Sequence, residues 1–208
     1  MLQYQTVEPK TLDILRKISS LSVFSEHRLV GGTSLALQYG HRLSIDLDFF
    51  SSEKIDYEEI LLNIQPLGRV EVVSRSKFIN CFFVNDVKVD FVSLPYPWID
   101  DPIIYDSIRL ASIKDIAAMK LAAITNRGSK KDFIDIALLI EKLGLDQMMR
   151  CYQEKYPDGM DMMVIRSLVY FEDAEAQADP VMLIPYEWES IKKLILDETK
   201  KILKKREV

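Results

Sequence analysis

The stretch GGTSLALQYGHRLSIDLDFF, residues 31–50, decides how the rest of the chain is read. It follows a short extended run, Arg28, Leu29 and Val30, that breaks at Gly31 and Gly32. Thr33 or Ser34 can cap a helix holding Leu35, Ala36, Leu37 and Tyr39, which Gly40 ends. Ile45 to Phe50 then reads as a strand. Residues two apart on a strand point to the same face, about 6.6 Å apart. Ser44, Asp46 and Asp48 therefore share one face, while Ile45, Leu47 and Phe49 turn to a core. Two carboxylates on one edge repel each other unless a cation joins them, and hard oxygen donors suit Mg²⁺ or Mn²⁺. Glycines let backbone N–H groups approach a phosphate, and a helix N-terminus favours its negative charge. Taken alone, Gly31-Gly32 is also what a tight turn looks like, and Asp-x-Asp is a common pattern. In this order they supply both halves of a site for a metal-bound nucleoside triphosphate.

Outward from this stretch, apolar residues at Leu12, Leu15, Ile18 and Leu21 have helical spacing, so Glu8 to Phe24 is expected to be a helix with Pro9 in its first turn. Ile55 to Ile64 is expected to be another. From Arg69 to Leu94 the period changes to two, through Val70 and Val72 and then Phe78, Cys81 to Val84, Val87, Val89 and Phe91, with Asn85-Asp86 as a tight turn. Pro95, Pro97 and Pro102 punctuate a loop. Beyond it the expectation is helical: from the capping-box-like Ser112–Asp115 to about Asn126, then 131–143, 146–156, 160–177 and 187–205. Strands and helices first, helices afterwards, is an α+β layout. The domain expectation is 1–105 for the first part and 106–208 for a helical second part.

A third carboxylate would complete a two-metal site, and Asp90 in Val87-Lys88-Val89-Asp90-Phe91-Val92 is the candidate. The alternation equally permits Asp90 to sit on the wet face of a sheet beside Lys88. Three acids with two metals would clamp an in-line displacement at the α-phosphate, transferring NMP and releasing pyrophosphate. Along the helix from Ser112, Lys120 and Arg127 fall near one face and Lys131 follows, cations suited to triphosphate charge. Asp132 and Asp135 open the next helix, where acids also suit the dipole. Surface charges at a helix junction are the alternative reading of this cluster.

Composition removes several function classes. The net charge of −5 argues against a surface that clings to nucleic acid everywhere, while leaving room for a local basic groove around 127–131 or in the tail from Lys200 to Arg206. No apolar run reaches the roughly 20 residues of a membrane span, and MLQYQTVEPK has no apolar core of a secretory signal. Cys81 and Cys151 lie far apart and read as reduced thiols; with only His27 and His41 besides, no zinc pattern forms. The cytoplasm is the expected compartment.

Two segments carry a resemblance. GGTSLALQYGHRLSIDLDFF and KDIAAMKLAAITNRGSKKDFIDIALL (114–139) are similar to the paired motifs of nucleotidyltransferase toxins of the AbiEii/AbiGii type, with the Val-x-Val-Asp-Phe strand between them. The resemblance spans roughly residues 28–140; after about 145 no motif is assigned. It implies a DNA polymerase β-like core with a helical C-terminal half. It implies Asp46, Asp48 and Asp90 as metal ligands for Mg²⁺ or Mn²⁺, Lys120 as a triphosphate contact, and Asp132 or Asp135 as the final acidic position, so that the helical part would contribute to the site. Gly31, Gly32, Arg42 and Ser44 belong to the phosphate motif, with Arg127 and Lys131 as further nucleotide contacts. Where broader nucleotidyltransferases have Gly-Ser, this chain has Gly-Gly-Thr-Ser, so Thr33 or Ser34 must take the serine's part. The resemblance further implies an NTP substrate, an RNA or tRNA acceptor and a cognate antitoxin partner. Transfer to a small molecule or protein hydroxyl, or a non-catalytic nucleotide-binding module, are the alternatives.

Overall fold

The computed structural model of the chain describes residues 1–206, with side chains as far as 205, so the side chain of Arg206 in the basic tail lies outside the described residues. The chain divides into two compact units, Met1–Ser112 and Ile113–Val208.

The first unit contains, in order, α1 (Pro9–Ser20), β1 (Arg28–Leu29), α2 (Gly31–Tyr39), β2 (Leu47–Ser51), α3 (Tyr57–Ile64), β3 (Val70–Arg75), β4 (Ile79–Val84), β5 (Val87–Ser93), β6 (Ile103–Tyr105) and β7 (Ile108–Leu110). The period-two segment forms the antiparallel run β3-β4-β5, in which β4 and β5 are joined by Asn85 and Asp86, both at positive φ (49° and 63°), the backbone a two-residue hairpin requires. The seven strands lie in the order β3-β4-β5-β2-β1-β7-β6. The sheet is mixed: β2 runs parallel to β5 and β1 parallel to β7, the remaining pairs being antiparallel. One cluster fills its core, with Leu47 and Phe49 from β2, Phe82 from β4, Val89 and Phe91 from β5, Ile14, Leu15 and Ile18 from α1, and Leu37 from α2. Phe91 is its hub, 4.6 Å from the ring of Phe24 and 5.6 Å from that of Phe49.

Three elements of this unit differ from the sequence expectation. The helix expected over 8–24 stops at Ser20, and Ser22–Phe24 form a separate 3₁₀ turn. The strand expected from Ile45 begins at Leu47, and Ile45 is 57% exposed instead of facing the core. The proline-rich stretch leads into a hairpin, β6-β7, whose turn residues Asp106 and Ser107 also take positive φ. Strands of three residues are too short for periodicity to reveal.

The second unit is helical: α4 (Ile113–Ile124), α5 (Lys130–Leu143), α6 (Leu145–Lys155), α7 (Asp161–Leu168), α8 (Glu172–Glu175) and α9 (Trp188–Arg206). The helix expected over 160–177 is thus two, interrupted at 169–171. Asp115, the acid of the capping-box-like start, is fully buried and accepts a 2.9 Å hydrogen bond from Nζ of the equally buried Lys155, joining α4 to α6. Removing one partner of such a pair strands a charge, at a cost of roughly 3–5 kcal/mol. With a seven-stranded mixed sheet and a helical second half, the fold is α+β. Cys81 and Cys151 are free thiols, and among the described residues no helix is long and apolar enough to cross a membrane.

Candidate functional site

Two glycines open α2, and each makes room for a side chain of the motif that follows. Gly31 has φ +68°, and a Cβ built on it would stand 2.7 Å from Oδ2 of Asp48. An L-residue there meets both a left-handed backbone and a carboxylate. A Cβ on Gly32 would fall 2.2 Å from Nη2 of Arg42, whose guanidinium is buried and donates at 3.0 Å to the carbonyl of Leu43. The glycines therefore admit Asp48 and Arg42 to the N-terminus of α2, where the first backbone N–H groups have no acceptor in the helix.

Thr33 and Ser34, expected as caps, lie inside the helix, which begins at Gly31 after Val30. Thr33 Oγ1 lies 2.8 Å from Oγ of Ser44 and also bonds the carbonyl of Asp46, tying α2 to the loop before β2. Ser34 is fully buried and accepts from Nε2 of Gln38 at 3.2 Å. Both hydroxyls are turned inward, and Ser44 is the partly exposed hydroxyl of the segment.

The parallel pairing of β2 with β5 sets Asp48 directly opposite Asp90. Neighbouring strands are about 4.8 Å apart, so two carboxylates face each other across the ladder. Asp46 precedes the strand and is carried by the loop. Lys88, on the same face of β5 as Asp90, places Nζ 2.5 Å from Oδ2 of Asp90. Burial pushes the Lys88 ammonium down, but the hydrogen bond and charge of Asp90, with the charges of Asp48 and Asp46, hold it above the usual lysine range. The other oxygen of Asp90, Oδ1, is buried and without a hydrogen-bond partner. Among the described residues, no three acidic, histidine or cysteine side chains lie close enough together to hold a metal ion as they stand. The donor chemistry nevertheless fits a hard cation, with hard oxygens on adjacent strands and one of them unengaged. The sequence offered Asp90 as metal ligand or as Lys88's neighbour on a wet face; it does pair with Lys88, yet its side chain is only 14% exposed.

In the second unit, Lys120 on α4 is buried, with Nζ 2.8 Å from Oδ1 of Asp132 and 2.5 Å from Oδ2 of Asp135. Ser129, the residue before α5, donates to Oδ2 of Asp132, and Nε of Arg127 lies 3.2 Å from the same oxygen. Burial would raise the Asp132 carboxyl, but the charge and hydrogen bond of Lys120, the Ser129 hydroxyl and the Arg127 charge hold it below the usual carboxylate range. Asp132 and Asp135 have no exposed surface, so they are not surface charges serving a helix dipole. Arg127 lies past the end of α4 and Lys131 is exposed. Lys88 and Ser129 were not singled out by the sequence pattern as site residues, although each stands at a readable offset: Lys88 two before Asp90 on a strand, Ser129 three before Asp132 at a helix start.

Comparison with known proteins gives these features a common setting. The family model described as nucleotidyl transferase AbiEii toxin, type IV toxin–antitoxin system, matches residues 13–205. An uncharacterized protein of Aquifex aeolicus is 36% identical over 197 residues, covering 92% of this chain and 95% of that protein. Among solved structures, a candidate nucleotidyltransferase from Helicobacter pylori superposes with a TM-score of 0.59 at 19% identity, covering 96% of this chain and 97% of its own. MenT4, a nucleotidyltransferase toxin from Mycobacterium tuberculosis, gives 0.59 at 18% identity, covering 90% of this chain and 80% of its own. The two structures share the fold, and the family model extends over both motifs and most of the region after 145. The chain belongs to the nucleotidyl transferase AbiEii toxin family of type IV toxin–antitoxin systems, and is a nucleotidyltransferase.

Proposed function

We propose that the enzyme transfers NMP from an NTP to a hydroxyl of RNA, tRNA among them, in a reaction dependent on Mg²⁺ or Mn²⁺, as the cytoplasmic toxin of a pair restrained by a cognate antitoxin. The observation that carries this reading is the register of Asp48 against Asp90, with Gly31 cleared of any side chain beside Asp48. Asp46, Asp48 and Asp90 would hold the metal. When bound, it would neutralise phosphate charge and lower the pKa of the acceptor hydroxyl.

The protein's own groups divide the remaining work. The free N–H groups at Gly31 and Gly32, at the positive end of α2, bind phosphate oxygens of the NTP. The Ser44 hydroxyl, steadied by Thr33, adds a donor, and buried Arg42 fixes the loop that carries both acids. Asp90 accepts the proton of the acceptor hydroxyl as its oxygen attacks the α-phosphorus. The bond from the α-phosphorus to the bridging oxygen breaks, and pyrophosphate leaves. Within the helical unit, Asp132 and Asp135 hold the buried ammonium of Lys120, and the exposed Lys131 is a cation suited to phosphate charge.

The test is incubation with each α-labelled NTP, Mg²⁺ and total RNA. Label is expected in RNA with wild type, and none with Asp46→Asn or in EDTA. Label found only on protein or on a small molecule would move the acceptor to that class. Unchanged labelling by Asp46→Asn would overturn the assignment of the acids.

A further inference from the structure

A second cleft lies wholly within the helical unit, where Asn126 and Arg127 of the second motif meet Arg166, Ser167, Tyr170 and Asp173, residues for which the sequence offered no motif. The turn after α4 and the C-terminal end of α7 enclose an open cleft of about 360 Å³, lined among others by Asn126, Arg127, Arg166, Ser167, Tyr170 and Asp173. Arg127 uses Nε to brace Asp132, and its side chain is 65% exposed. Arg166 is exposed, and its guanidinium makes no ion pair, hydrogen bond or ring contact among the described residues. Tyr170 is 48% exposed. An unpaired guanidinium beside a second one, with hydroxyl and amide donors from Ser167 and Asn126, is the donor set that recognises a phosphate. An exposed aromatic ring beside such cations is the stacking partner of an unpaired base.

The charge balance selects among phosphates. Arg127 is already paired with Asp132, and the carboxylates of Glu172 and Asp173 stand at the Tyr170 hydroxyl, which leaves the single guanidinium of Arg166 unpaired among the described residues. That matches the single charge of a phosphodiester and falls short of a triphosphate. We infer that this cleft binds one phosphodiester of a single-stranded nucleic acid, between Arg127 and Arg166, with the adjoining base on Tyr170. The inference deepens the RNA reading of the previous subsection and rests on it for the substrate's role. It also accounts for nucleic-acid binding by a chain of net charge −5, since the contact is local.

The experiment is fluorescence anisotropy of a labelled single-stranded oligoribonucleotide with the full chain, in parallel with binding of ATP in Mg²⁺. Arg166→Glu is expected to weaken oligonucleotide binding about tenfold or more, and Tyr170→Leu several-fold by loss of stacking. Arg166→Ala is expected to lower the salt dependence by about one ion contact. Arg166→Lys, which keeps the charge, should retain most of the affinity, and ATP binding should be unchanged throughout. Because both side chains are exposed, the melting temperature should stay at the wild-type value. Wild-type affinity in Arg166→Glu overturns the inference, as does failure of the wild type to bind the oligonucleotide. Loss of ATP binding with RNA binding intact also overturns it, since the anion would then belong to the NTP. Oligonucleotide binding that depends on Arg166 in a protein that labels no RNA would support the cleft and sink only the transfer reading.

Discussion

The Nζ of Lys88 and the Oδ2 of Asp90 stand 2.5 Å apart on one face of β5, and the same ammonium feels the charges of Asp48 and Asp46. Lys88 is thus a built-in cation among acids that otherwise repel one another across the β2–β5 ladder. It offsets the charge a divalent ion would neutralise.

That placement makes Lys88 a competitor of the metal. Lys88→Met should lower the melting temperature in EDTA, because the in-register Asp48 and Asp90 lose their counter-charge. The same variant should show a larger Mn²⁺-induced rise in melting temperature than wild type, while Lys88→Arg behaves like wild type. Equal Mn²⁺ responses in wild type and Lys88→Met would show that Lys88 does not contend for the cation.

Gly31 offers a second test. Alanine there must adopt φ +68° and place Cβ against Oδ2 of Asp48. The backbone cost alone is about 1 kcal/mol, and Asp48 must shift to relieve the contact. Nucleotidyl transfer should fall at least tenfold, more than the modest stability loss explains. An active Gly31→Ala enzyme with an unchanged metal requirement would contradict the close approach.

The third concerns pH. His27 is buried, its ring 5.5 Å from that of Phe24 and 5.8 Å from that of Phe91, and neither ring nitrogen has a hydrogen-bond partner. Burial lowers its pKa from 6.5 to about 4. The unfolded chain then binds the proton more readily than the folded one. The stability contribution is whole above pH 6.5 and declines as pH falls toward 4, by about 3 kcal/mol in total. Denaturant titrations between pH 7 and 4 should show that decline, and His27→Leu should remove this component. An identical pH profile in the variant would assign the loss to other groups.

How much of this was legible beforehand depends on the range of the forces involved. The period-two run from Val70 to Phe91, the Asn85-Asp86 turn and the helices at 131–143 and 146–156 follow from local propensity and side-chain periodicity, and the structure has all of them within a residue or two. The start of β2 did not follow: Ile45 looks like a core residue in an alternating pattern, but only Leu47 onward finds partners on β5. The apolar stretch over 160–177 hides its interruption for a similar reason, since periodicity says where a helix can form and packing decides where it stops.

The sequence by itself determined the composition of the candidate site: two glycines before a helix, acids two apart, a third acid in a β-run, and a lysine with two aspartates in the second motif. Those are choices of residue type at short spacing, and short-range chemistry is written in the chain. Only the tertiary structure decided which groups meet. It set Asp48 opposite Asp90, brought Lys88 among the acids, and buried Lys120 with Asp132 and Asp135. It also placed Arg166 and Tyr170 in one cleft with Arg127. These are contacts between residues up to tens of positions apart, fixed by strand register and helix packing, which no local pattern records.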